Sequence, residues 1–169
     1  MKKSDFYSQG FTLLELMLVI VILGVLVLLI SGNFFTSLKK GRDARRKTDL
    51  KEIKNALELY YQDYGEYPEP TYMNFGSSFS RGNKTYFQKL PQDPLEKCSY
   101  KYMRTDSQTY YLLSTIENSQ DSGPGVSQTG YRDPNNPGVN LDCSASGLSN
   151  QCICRFYVGS PNAVLTPVP

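Results

Sequence analysis

The residues able to do chemistry by type and spacing are few. Cys98, Cys143, Cys152 and Cys154 are the chain's only cysteines, and all lie in its second half. An even number in a polar, loop-rich region reads as two disulfides outside the cytosol, and as thiols or ligands inside it. A single C-x-C with its other cysteines far away is not a zinc-knuckle spacing. Glu15 is a carboxylate placed inside the run FTLLELMLVIVILGVLVLLI, residues 11–30. Holding that charge in an apolar span costs roughly 2.5 kcal/mol or more unless it is paired, protonated or able to reach water. DPNNPGVNLD, residues 133–142, gathers Asp133, Asn135, Asn136, Asn140 and Asp142 around prolines and a glycine. Oxygen donors on a bendable loop can hold a hard cation, Ca²⁺ outside the cell, although the spacing is not that of an EF-hand and the same residues also simply make turns.

Two absences narrow the rest, since the chain has no His and no Trp. Without imidazole there is no Ser-His or Cys-His nucleophile pair, no His metal ligand and no proton shuttle with an unperturbed pKa near neutrality. No carboxylate pair, Gly-rich phosphate loop or nucleophile elbow stands out, so no catalytic residue is assigned and the chain is expected not to be an enzyme. A formal net charge of +2 is too small to announce a nucleic-acid binder. The local exception is KKGRDARRK, residues 39–47, with six basic residues against Asp43. A solvated helix face is the first reading, with lipid headgroups or DNA as alternative partners.

The elements that must position these residues divide sharply. All ten prolines and nine of the thirteen tyrosines lie at or after Tyr67, while the strongest apolar run is confined to the first thirty residues. Twenty helical residues from Phe11 to Ile30 would span about 30 Å, the thickness of a bilayer core. No A-x-A cleavage pattern follows Ile30, so this span is expected to be retained. Beyond it, Leu50, Ile53, Leu57, Tyr60 or Tyr61, and Tyr64 recur three or four apart between charged residues, the stripe of an amphipathic helix. Gly65 and Pro68 stop it, so helix from Phe11 to Tyr64 would reach roughly 80 Å. After Pro70 the chain is loop-rich. Ser99–Met103, Thr109–Ile116 and Cys152–Val158 read as short strands that would bury Leu57, Tyr61, Tyr64, Leu112 and Phe156 against the helix. The tyrosines of this half, including Tyr72, Tyr86, Tyr100, Tyr102, Tyr110 and Tyr131, are read first as packing and second as a sticky surface.

MKKSDFYSQG, followed by FTLLEL, joins a short hydrophilic leader ending in Gly10 to Phe11 and a Glu on the fifth residue of the apolar run. This resembles the type III signal of type IV pilins and the related pseudopilins. The stretch RDARRKTDLKEIKNALELYYQDYGEYP resembles the helix-to-loop junction of major pseudopilins, so the likeness covers about the first 68 residues. By that resemblance a prepilin peptidase cuts between Gly10 and Phe11 and methylates the new Phe11 amine. The Glu15 carboxylate of one subunit would then pair with the Phe11 amine of its neighbour. Removing one member of such a pair leaves the other buried, at a cost of roughly 3 to 5 kcal/mol. The resemblance also places the leader in the cytoplasm. The positive-inside rule alone would reverse that orientation, because residues 39–47 outweigh Lys2 and Lys3. Major pseudopilins are also known for a calcium-binding head loop, which adds weight to Asp133–Asp142 without making a metal a requirement.

The expected protein is α+β and pilin-like, a long N-terminal helix on a small antiparallel head with long loops. Its divisions are 1–10 leader, 11–30 transmembrane and assembly helix, 31–64 amphipathic helix, and 65–169 extracytoplasmic head. Cys152 and Cys154, two apart, would share one strand face and not bond to each other. The expected disulfides are Cys143 with Cys152 and Cys98 with Cys154. The expected function is a homopolymerising subunit of a type IV pilus-like filament. It would sit in the inner membrane as a single-pass precursor and then in a surface or periplasmic filament, served by a prepilin peptidase, an assembly ATPase and an inner-membrane platform. The alternatives are a pseudopilin of type II secretion or of DNA uptake, and a monomeric membrane-anchored adhesin.

Overall fold

The computed structural model describes residues 10–31, 34–146 and 152–169, with the side chains of 29–31 outside that description. The leader expected over 1–10 therefore lies outside the described residues, except for Gly10. The chain divides into a unit of residues 1–38 and a unit of residues 39–169.

The first unit contains helix α1, Leu13–Ser31. Thr12 begins it: its Oγ1 accepts the Glu15 backbone N–H at 3.2 Å, and its carbonyl accepts Leu16 N–H at 3.2 Å. That is an N-cap satisfying one of the orphan donors of the first turn. Large apolar side chains from Leu13 to Leu28 are each 43–78% exposed. They surround the helix on all sides, which is not the pattern of a surface helix packed on its own head. No helix among the described residues is long and apolar enough to cross a membrane.

Helix α2, Phe34–Tyr64, carries the second unit. Its buried face runs Asp43, Arg46, Asp49, Leu50, Ile53, Ala56, Leu57 and Tyr60, spaced three and four apart. The stripe foreseen from Leu50 to Tyr60 is correct but longer than foreseen, because charged residues continue it inward at its N-terminal end. Tyr64 is a correction: it is 41% exposed, stacked on Tyr60 and lying beneath the Arg81 guanidinium. The helix stops at Gly65, whose φ of 70° is left-handed backbone and whose N–H returns to the Tyr61 carbonyl at 2.8 Å.

A 3-10 turn, Pro70–Tyr72, leads to seven short strands: β1 Phe79–Arg81, β2 Lys84–Phe87, β3 Lys101–Asp106, β4 Thr109–Ser114, β5 Arg132–Asp133, β6 Asn136–Asn140 and β7 Phe156–Gly159. They form antiparallel hairpins β1-β2 and β5-β6 and one antiparallel sheet of order β3-β4-β7. In that sheet Tyr102 faces Leu112, and Leu112 faces Val158. Strand β4 is buried on both faces, which explains its unbroken apolar run. Tyr110 and Leu112 join the helix side with Leu50, Ile53, Leu57, Tyr60, Tyr100, Tyr102 and Phe156. Tyr111 and Leu113 join the opposite side with Tyr131, Leu141, Leu165 and all four cysteines. The architecture is α+β, as expected.

All three expected strands differ at their ends, Thr109–Ile116 stopping at Ser114. Ser99–Met103 becomes β3 at 101–106, and the last strand begins at Phe156 rather than Cys152. The β1-β2 hairpin, in a polar stretch without strict alternation, was not foreseen.

Candidate functional site

The N-terminal residues singled out by sequence sit as follows. Gly10 has open space around it, and Phe11 is 79% exposed just before the cap. Glu15 occupies the third position of α1, so Thr12 and Glu15 together carry the T-x-x-E spacing of a capping box. This cap is a signal that the apolar pattern concealed. A carboxylate in a first helical turn gains about 0.3–1 kcal/mol from the helix dipole. That is less than the roughly 2.5 kcal/mol cost of an apolar environment, so a counter-charge is still required there.

The second site is a charged clasp between α2 and the head loops. Arg46 has no exposed side-chain surface and donates from Nε and Nη2 to both oxygens of Asp93, at 2.7 and 2.8 Å. Its Nη1 donates to Asp43 Oδ1 at 2.8 Å and to Glu117 Oε1 at 2.7 Å. Arg42 grips Glu117 from the neighbouring turn, Nε to Oε1 at 2.8 Å and Nη2 to Oε2 at 2.5 Å. Asp43 accepts the backbone N–H groups of Glu117 and Asn118, the latter at 2.8 Å. Lys47 reaches Asp121 at 2.6 Å, and Tyr100 donates to Asp49 at 2.6 Å. The bidentate bonds from Arg42, opposed by desolvation and reinforced by Arg46, hold the Glu117 carboxyl down to about 2. The Lys47 ammonium likewise lowers Asp121. Burial, with the bond to Asp49, pushes the Tyr100 phenol above its ordinary value.

The clasp corrects the first reading of residues 39–47 as a solvated face. Arg42, Arg46 and Lys47 bind acids brought from residues 93, 117 and 121, and only the remaining basic residues of the segment point to water. The sequence did contain a clue, since Asp43 and Arg46 extend the spacing of Leu50 and Ile53 backwards.

The cysteines form two disulfides, Cys98–Cys152 and Cys143–Cys154, with Cα separations of 5.6 and 5.1 Å. Both expected pairings are therefore corrected, although Cys152 and Cys154 do avoid each other. Backbone register explains the exchange. Ser99 N–H bonds the Cys143 carbonyl, Cys143 N–H bonds the Cys152 carbonyl, and Asp142 pairs with Ile153. The segment around Cys98 thus approaches Cys152 from the far side of Cys143, leaving Cys154 for Cys143.

The residues named for calcium lie on and beside the β5-β6 hairpin. Asp133 Oδ1 accepts the Asn135 N–H at 2.8 Å. Asp142 Oδ1 accepts the N–H and hydroxyl of Ser144 at 2.9 and 2.6 Å. Asn135, Asn136 and Asn140 are exposed. Among the described residues no group of three or more His, Cys, Asp or Glu could hold a metal ion. Asp133 and Asp142 thus cap turns, while Asn136 and Asn140 lie on β6. Of the noted tyrosines, Tyr100, Tyr102, Tyr110 and Tyr131 are buried, Tyr86 is half-buried and Tyr72 is exposed. Packing accounts for most of them.

Residues 6–31 match the prokaryotic N-terminal methylation motif, and residues 33–129 match the type II secretion system protein G family. The chain belongs to the type II secretion system protein G family. Similar proteins include the type II secretion system core protein G of Vibrio cholerae, 30% identical over 131 residues, or 70% of this chain and 87% of that one. That of Aeromonas hydrophila is 36% identical over 98 residues, 52% of this chain and 67% of the relative. That of Escherichia coli K12 is 33% identical over 98 residues, 52% and 66%. No solved structure matches. The protein G match ends at residue 129, before Cys143, Cys152 and Cys154, so each disulfide has at least one cysteine beyond it. The clasp residues Arg42, Asp43, Arg46, Lys47, Asp93, Glu117 and Asp121 all fall within the protein G match.

Proposed function

We infer that this chain is a filament subunit, a pseudopilin of a type II secretion machine, with a pilus or DNA-uptake filament as the neighbouring alternative. The observation that carries the reading is helix α1, apolar on every side and exposed from Leu13 to Leu28. Among the described residues of its own unit nothing covers that surface, so lipid would cover it before assembly and other copies of the helix afterwards. The precursor would be anchored in the inner membrane by residues 11–30 with the head outside the cytoplasm, where two disulfides are at home. A prepilin peptidase would cut after Gly10, and the methylated Phe11 amine of one subunit would meet Glu15 of the next. An assembly ATPase and an inner-membrane platform protein would supply the extraction. The function is structural, and no residue is given a catalytic role.

Mass spectrometry of the protein recovered from cells tests this. The expected N-terminus is N-methyl-Phe11, and a chain retaining Met1 would overturn the reading. The Glu15→Ala protein should remain in the membrane yet yield no sheared filament. Normal filament yield from that variant would refute the proposed pairing.

A further inference from the structure

On the head, next to Glu117 of the clasp, lies an open cleft of about 320 Å³ lined by Lys39, Lys97, Thr115, Ile116, Glu117 and Arg155, among others. Its charge is one-sided. Among the described residues Glu117 is the one acid in the lining, and both its oxygens are already occupied by Arg42 and Arg46. Among the described residues no carboxylate lies within ion-pair distance of Lys39, Lys97 or Arg155. Arg155 is held in place by one bond, Nη1 to the Ile116 carbonyl at 3.3 Å, while its Nε is buried without a hydrogen-bond partner. An under-satisfied, half-buried guanidinium is costly in an isolated head and becomes favourable when an anion supplies the missing charge.

We propose that this cleft is a phosphate-binding site, lined by the half-buried Arg155 guanidinium and the exposed Lys39 and Lys97 ammonium groups. An arginine flanked by two lysines suits a tetrahedral oxyanion with several acceptor oxygens, where a lone carboxylate would leave donors unused. The phosphate is either a lipid headgroup or a free phosphate. The site does not depend on the filament reading, because it is built entirely from residues of the head unit.

The test uses the full-length protein in a neutral detergent. Binding is measured by calorimetry with inorganic phosphate in one arm and short-chain phosphatidylglycerol, below its micelle concentration, in the other. Short-chain phosphatidylcholine serves as the zwitterionic comparison. Saturable binding of both phosphate and phosphatidylglycerol identifies a general phosphate site, and binding of phosphatidylglycerol alone identifies a lipid-headgroup site. The exposed-residue variants Lys39→Glu and Lys97→Glu should each weaken binding about tenfold, with the fold retained. Lys89→Glu, the same charge change away from the cleft, should leave affinity unchanged. No saturable binding in either arm, or equal loss in Lys89→Glu, would overturn the proposal.

Discussion

Arg46 and Asp93 form a two-bond, fully buried ion pair that ties the helix to a loop 47 residues away, with neither side chain exposed. The apolar core lies farther along the same helix face, at Leu50, Ile53 and Leu57. The pair therefore extends helix-to-head packing into a region where the helix has no apolar side chain to offer.

Truncating Arg46 leaves Asp43 and Asp93 buried with their main cation gone. We expect Arg46→Ala to lose about 3–5 kcal/mol of stability. Urea unfolding should show this as a lower midpoint. Arg46→Met with Asp93→Leu should recover part of the loss, since it removes the Asp93 charge together with the cation, while Asp43 keeps the backbone N–H bonds of Glu117 and Asn118. A double variant no more stable than the single one would show that the clasp acts through some feature other than charge pairing.

Acid should open the same region. The Glu117 carboxyl is held at about 2 by the Arg42 guanidinium, against an ordinary glutamate value of 4.5. Its stabilising effect is therefore fully present above the unfolded value and is lost as pH falls from 4.5 toward 2. The shift corresponds to at most about 3 kcal/mol. Asp121, also lowered, adds to the loss in the same direction. Thermal melts should fall steeply over that window, and Glu117→Gln should start lower at neutral pH and show a shallower slope. A parallel acid profile in the variant would remove Glu117 from the explanation.

The cysteine pairs interleave along the chain, and this can be read from thiol counts. Cys98→Ser with Cys152→Ser should retain one disulfide and expose no thiol in denaturant. Cys98→Ser with Cys154→Ser removes one partner from each bridge and should leave two thiols, Cys143 and Cys152, that are buried in the native head and titrate in denaturant. In the chain-entropy model, closing 54 residues through Cys98–Cys152 contributes about 4 kcal/mol. Closing 11 residues through Cys143–Cys154 contributes about 3 kcal/mol. Loss of the longer bridge should therefore lower the melting temperature more.

Chelation addresses the 133–142 loop. With Asp133 and Asp142 engaged in their own turns, EGTA should leave the melting temperature unchanged. A drop of several degrees, reversed by Ca²⁺, would show that the loop takes the ion.

The sequence alone settled the features that depend on local periodicity and on forbidden chemistry. The apolar run after Gly10, the Glu within it, the stripe from Leu50 to Tyr60, the stop at Gly65 and the absence of imidazole are all legible one residue at a time. They led to the right family and fold class. Tertiary structure decided what distant segments do to one another. It turned Arg42, Arg46 and Lys47 from a solvent-facing cluster into an internal clasp, because acids 47 to 75 residues away close on them. It also chose Cys152 for Cys98, because backbone pairing of residues 99, 143 and 152 set which sulfur atoms met. Charge sign and cysteine spacing are properties of the chain, whereas burial and partner depend on which segments share a neighbourhood after collapse.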